Sequence, residues 1–152
     1  MTIKRVIMAL GVATVMGVSM GMAAATGVPI GYVKNVSGEV QVITAGESVR
    51  ATVGSPVAVG STLKTAANAS VGLGLRDNTL LSLGPNTEFT LREYAFEPGE
   101  GKLSLVARLT RGTLDYVSGV IAKLRPEAVS VETPTGTLGV RGTHFAVKVE
   151  GE

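Results

Sequence analysis

The sequence predicts an all-β fold: a single domain of many short strands, arranged as an irregular β-solenoid or a rolled sandwich, after an N-terminal signal helix. Three observations predict it. Apolar residues recur at alternate positions along most of the chain after Val28. Turn-forming residues separate these runs at spacings of roughly 8 to 12 residues. No comparably long stretch carries apolar residues at the helical period.

In chain order, the first element is the leader. MTIKR is a short positive start, Val6 to Ala25 is a 20-residue uncharged run, and Ala23-Ala24-Ala25 has the small-residue pattern that a signal peptidase needs. Residues 1–25 are therefore read as a signal peptide, or as a membrane anchor if uncleaved, since an apolar run of this length just spans a bilayer. Either way the remainder is expected outside the cytoplasm, in a bacterial periplasm or beyond. Residues 26–35 form a lead-in, and 36–152 form the β domain.

Within that domain the alternating runs are Val40 and Val42; Val71, Leu73 and Leu75; Leu81 and Leu83; Phe89 and Leu91; Leu103 and Leu105; Val129 and Val131; and Phe145, Val147 and Val149. Each puts one row of side chains toward a core and the other toward solvent. Between them stand Ser37-Gly38, Ala45-Gly46, Asp77-Asn78, Gly84-Pro85-Asn86, Pro98-Gly99, Arg111-Gly112, Pro134-Thr135-Gly136 and Arg141-Gly142, all read as turns. Asp77-Asn78 tolerates the left-handed backbone of a tight hairpin between Leu75 and Leu80. Val120 to Pro126 is the one place where a helical turn is expected, limited by Pro126. The segments opening at Gly112, Gly136 and Gly142 resemble one another, but their spacings of 24 and 6 exclude a strict repeat.

Composition removes several function classes. The chain has 14 Lys+Arg and 12 Asp+Glu; without Lys4 and Arg5 of the leader this becomes 12 against 12, a neutral domain with no basic patch for nucleic acid. With no cysteine there are no disulfides, thiolate metal sites, cysteine nucleophile or lipidated cysteine.

The densest candidate for chemistry is TPTGTLGVRGTHFAV, Thr133 to Val147, which holds the only histidine. Its glycines at 136, 139 and 142 fit neither a P-loop nor GxGxxG, and they lead into a strand instead of a helix. They are read as points of backbone freedom or close approach. Arg141 is a candidate clamp onto backbone carbonyls or onto Asp115 or Glu132, or else a ligand for an anion. His144 falls on the face opposite Phe145 and Val147, toward solvent. A hydrolytic triad is not expected, and one histidine without cysteines leaves no zinc site. Glu88, Glu93, Glu97 and Glu100 are expected at exposed positions instead of as a paired acid and base. No catalytic residue, cofactor or metal follows.

Three stretches together carry a family resemblance: Ser70 to Thr87, which reads SVGLGLRDNTLLSLGPNT; Arg111-Gly112-Thr113-Leu114; and the closing Thr133 to Val147. They resemble the FecR domain over roughly Val36 to Val149. The resemblance implies an extracytoplasmic β domain without enzymatic activity. It also implies that Thr133, Pro134, Gly136, Gly139, Arg141, Gly142, Thr143 and Phe145 are family motif residues, serving as structural turn and clamp. In the best-known members this domain receives a periplasmic signal from a ferric-siderophore receptor and passes it through a membrane helix to a cytoplasmic segment that controls a sigma factor. Only five residues precede the hydrophobic run here, so that cytoplasmic segment is not expected.

The expected function is thus a non-catalytic protein-interaction module in envelope signal sensing, with another envelope protein as partner. It would touch no nucleic acid, and a membrane only through residues 6–25 if these are uncleaved. The alternative is a structural or carbohydrate-contacting envelope domain. With three Tyr, three Phe and no Trp, only Tyr32, Tyr94 and Tyr116 remain as stacking platforms once Phe89 and Phe145 go to the core.

Overall fold

The computed structural model describes residues 28–140 and 143–150. The expected signal helix, and Arg141 and Gly142 of the closing motif, lie outside the described residues. Strands follow one another as β1 (Gly31–Ser37), β2 (Val40–Thr44), β3 (Glu47–Arg50), β4 (Pro56–Val57), β5 (Thr62–Thr65), β6 (Ser70–Leu75), β7 (Leu80–Leu83), β8 (Glu88–Glu97), β9 (Lys102–Val117), β10 (Val129–Thr133), β11 (Gly136–Gly139) and β12 (His144–Val149). One short helix, α1 (Val120–Leu124), and two 3-10 turns, Pro98–Glu100 and Pro126–Ala128, complete the described elements. Strand β1 takes in Gly31–Asn35, residues that the sequence places in a lead-in, and binds them to the sheet along β6.

The fold is all-β, and its curl is set by one long ribbon. Strands β7 and β8 run one after the other along the same partner: Leu80–Leu83 lie opposite Val117–Leu114, and Glu88–Glu97 lie opposite Arg111–Lys102. Beyond β7 the sheet continues through β6, β1 and β4; beyond β8 it continues through β5, β2 and β3. On the open flank of β9, β10 pairs parallel to its first half and β12 antiparallel to its second. The chain is therefore rolled instead of being coiled as a solenoid, and the β9–β10 pair is the one parallel pairing among the described strands. A parallel return requires a crossover, and residues 118–128, with α1 and the second 3-10 turn, provide it.

The bend in the ribbon corrects one expectation. Arg111-Gly112, read as a turn, lies inside β9. Inward positions along β9 are odd before it (Leu105, Ala107, Leu109) and even after it (Leu114, Tyr116), all at most 1% exposed. A β-bulge causes the change of phase: the register against β8 slips between Glu88 and Phe89, so that Thr110 is passed over. Gly112 takes φ 94°, and a Cβ there would collide with Thr87. Three threonines hold the corner. Thr65 Oγ1 donates to Gly84 O (2.6 Å) and accepts from Thr87 N–H (2.9 Å), and Thr87 Oγ1 accepts from Thr113 N–H (3.1 Å).

All the alternating runs expected as strands are strands, and their inner rows form one cluster from Val33 and Val40 through Leu73, Leu81, Phe89 and Leu105 to Val131. Fully burying one such side chain is worth about 1.5–3 kcal/mol. Ala45-Gly46 adopts φ 52° and 80°, the mirror-image turn that suits the twist of the β2–β3 hairpin. The helical turn falls at Val120–Leu124 as expected and stops before Pro126.

Candidate interaction surface

The described residues of the closing motif lie on two rims of the sheet, β11 and β12, each paired with one described strand. Thr133 ends β10, Pro134 and Thr135 make the hairpin link, and Thr133 Oγ1 donates to Gly136 O at 2.9 Å, which fixes that turn. Gly136 and Gly139 open and close β11, and a Cβ at either would meet no atom within 4 Å, so neither marks a close approach. Thr143 is exposed, and its carbonyl accepts from Ser118 N–H at 2.8 Å. Phe145 stacks on Tyr116 with ring centroids 4.8 Å apart. Of the two carboxylates expected to receive Arg141, Glu132 pairs with Arg92 at 2.7 Å and Asp115 bonds His144.

Among the described strands, β12 pairs with β9 alone. Its inner row, Phe145, Val147 and Val149, is only half-buried, whereas the facing Leu114 and Tyr116 of β9 are at most 1% exposed. Its outer row is His144, Ala146 and Lys148, all exposed. The strand therefore offers an unpaired line of backbone groups beside an incompletely covered apolar row.

On the outer face His144 Nε2 bonds Asp115 Oδ1 and ties the start of β12 to β9. Both side chains are about half exposed, which limits such a pair to a few tenths of a kcal/mol up to about 1 kcal/mol. Together with Ser82, Gly84, Thr113 and Ala146 they line a shallow recess of about 420 Å³. The recess holds a serine, an aspartate and a histidine, with the aspartate on the middle strand. Ser82 lies opposite Asp115 on β7, while His144 comes from β12 on the other side of β9. Among the described residues the hydrogen bond in this recess joins His144 to Asp115, and Ser82 takes no part in it.

Asp77 is the polar centre that sequence reasoning missed. It is fully buried in the β6–β7 turn. Oδ1 accepts from Thr79 N–H (3.3 Å) and from the Tyr94 hydroxyl (3.0 Å); Oδ2 accepts from the Thr79 hydroxyl (2.8 Å) and from Ile121 N–H (3.1 Å). Tyr94 also accepts from Asp77 N–H, and Asp77 O accepts from Val120 N–H. This one residue thereby joins a turn, β8 and the start of α1. Burial, reinforced by the negative charge of Asp77, raises the Tyr94 hydroxyl well above the ordinary tyrosine range. Burial also raises Tyr116. The sequence signal is the Asp-x-Thr of an Asx turn at 77–79, but its long-range partners carry no local mark.

The remaining candidates are peripheral. Glu88 faces Arg111 at 3.9 Å, Glu97 and Glu100 flank Lys102, and Glu93 accepts from Ser104, all at the surface or half-buried. Tyr116 is buried and Tyr94 half-buried with its hydroxyl engaged, so Tyr32, 49% exposed, is the one tyrosine placed to stack on a ligand. Among the described residues no group of three or more His, Asp or Glu side chains could hold a metal ion, and no helix is long and apolar enough to cross a membrane.

In a comparison with known families, residues 61–152 fit the family model described as FecR protein. The match starts within the link before β5, so β1 to β4 belong to the sheet but lie outside the matched range. No curated protein and no solved structure matches the chain.

Proposed function

The chain belongs to the FecR protein family, and from that premise we propose that it is a non-catalytic protein-interaction module of the bacterial envelope, acting outside the cytoplasm in signal sensing. The observation that carries this reading is the rim formed by β12, which among the described strands is paired on one side only and has its apolar row half covered. A partner strand added there would satisfy the free backbone groups and cover Phe145, Val147 and Val149. The partner is another envelope protein, and neither nucleic acid nor a cofactor takes part.

The hydrogen bond of His144 goes to Asp115 and not to Ser82, which supports a reading without a nucleophilic serine. The burial of Tyr116 and Tyr94 counts against a carbohydrate platform, which would need exposed aromatic faces. Photo-cross-linking in intact cells of the natural producer tests the reading, with the reactive residue at Lys148 on the rim and, as a control, at Gly99 on the β8–β9 tip. A discrete protein adduct from position 148 that is absent from position 99 is expected. Adducts to wall material alone, or none from position 148, would sink it.

A further inference from the structure

One cavity lies away from the β12 rim, between the residues that lead into β1, the β4–β5 link, the end of β6 and the second half of β8. It has a volume of about 360 Å³ and is lined by Val28, Ile30, Val59, Arg76 and the run from Tyr94 to Glu97. Such a volume lies in the range of small-molecule pockets, which favour the mouths of β-barrels and clefts between layers. Its floor is Ile30, 5% exposed, and its walls include Val28 and Val59, which at 73% and 47% exposed are uncovered apolar surface at the mouth. Half-buried Tyr94, Ala95 and Phe96 close the side supplied by β8.

The polar groups around it are unequal. The Tyr94 hydroxyl is committed to Asp77, and Glu97 lies toward Lys102 at 3.8 Å. Arg76 is exposed at the rim and takes part in none of the ion pairs among the described residues. An apolar recess with one uncommitted guanidinium at its mouth complements an apolar body carrying a single negative head.

We propose that this cavity binds a small anionic amphiphile, a straight-chain carboxylic acid in chemical class, with the chain against Ile30, Val59 and Phe96 and the carboxylate at Arg76. The test titrates the full chain with decanoate, decanol and decyltrimethylammonium, each below its micelle concentration, while amide shifts are followed by NMR. Saturable shifts at Val59, Ala95 and Phe96 are expected with decanoate. Arg76→Gln, an exposed change that leaves the melting temperature in place, is expected to weaken decanoate at least tenfold and to leave decanol unchanged. Three results would each overturn the proposal: no saturable binding, shifts confined to another part of the sheet, or decyltrimethylammonium or decanol binding as tightly as decanoate.

Discussion

Replacing Asp77 by asparagine changes one atom, yet it strikes the most connected polar group among the described residues. The carboxylate receives four donors, two at each oxygen, and both oxygens must act as acceptors. An amide has one acceptor oxygen. Whichever way it is turned, its NH2 faces a backbone N–H that cannot rotate away, Thr79 on one side or Ile121 on the other. Leaving one such donor unsatisfied costs about 1–3 kcal/mol, and the bonds that remain lose their charge assistance. The expected loss is therefore about 2–4 kcal/mol, and Asp77→Ala, which strands all four donors, should lose at least as much. Urea denaturation followed by circular dichroism measures it as a lower midpoint with an unchanged slope. A change below about 0.5 kcal/mol for Asp77→Asn would refute the account, because it would mean that water or rearranged donors replace the carboxylate at little cost.

Three further outcomes follow from the same geometry. Gly112→Ala should lower stability by about 2 kcal/mol or more, from a left-handed backbone and contact with Thr87, as read from thermal melting; an unchanged midpoint would show that the corner is not strained. Because Tyr94 is raised in the folded state, the folded chain keeps this proton where the unfolded chain has lost it. Stability is therefore whole below the ordinary tyrosine value of about 10 and declines as pH rises above it, and Tyr94→Phe should flatten that decline in denaturation curves between neutral and alkaline pH. His144→Ala should cost less than about 1 kcal/mol, whereas Phe145→Ala should cost about 1–3 kcal/mol, both read from thermal melting, since one removes a half-exposed hydrogen-bonded pair and the other a packed ring.

Why some of this could be read in the sequence and some could not comes down to the distance between interacting residues. Val71-x-Leu73-x-Leu75 and Leu81-x-Leu83 reveal strands because alternate side chains share a face whatever lies across from them. Ala45-Gly46 reveals a turn because its backbone preference is its own. The bulge in β9 was present as a phase error, apolar residues at odd positions up to Leu109 and at even positions from Leu114. The glycine at the break reads equally well as a turn, and only pairing with β8 on one side and β12 on the other decides between them. Asp77 bonds to residues 17 and 44 positions away, and His144 to one 29 positions away. No local pattern encodes such pairs, so a buried carboxylate at a turn looks like any surface aspartate until the chain is folded. The rims, likewise, are properties of topology: β12 resembles an interior strand in its alternation, and only its lack of a second neighbour among the described strands distinguishes it.

Strand β9 also determines how the domain comes apart. It is the backbone partner of β7 and β12 at one end and of β8 and β10 at the other. Neither half of the roll can melt and leave the other with a complete ladder. Loosening β12 removes cover from Tyr116, which lies on the strand that also carries β10. Hydrogen exchange along β9 should therefore be slow and uniform from Leu105 to Tyr116, and opening there should require the same free energy as global unfolding, with no separable subdomain on either side of the bulge.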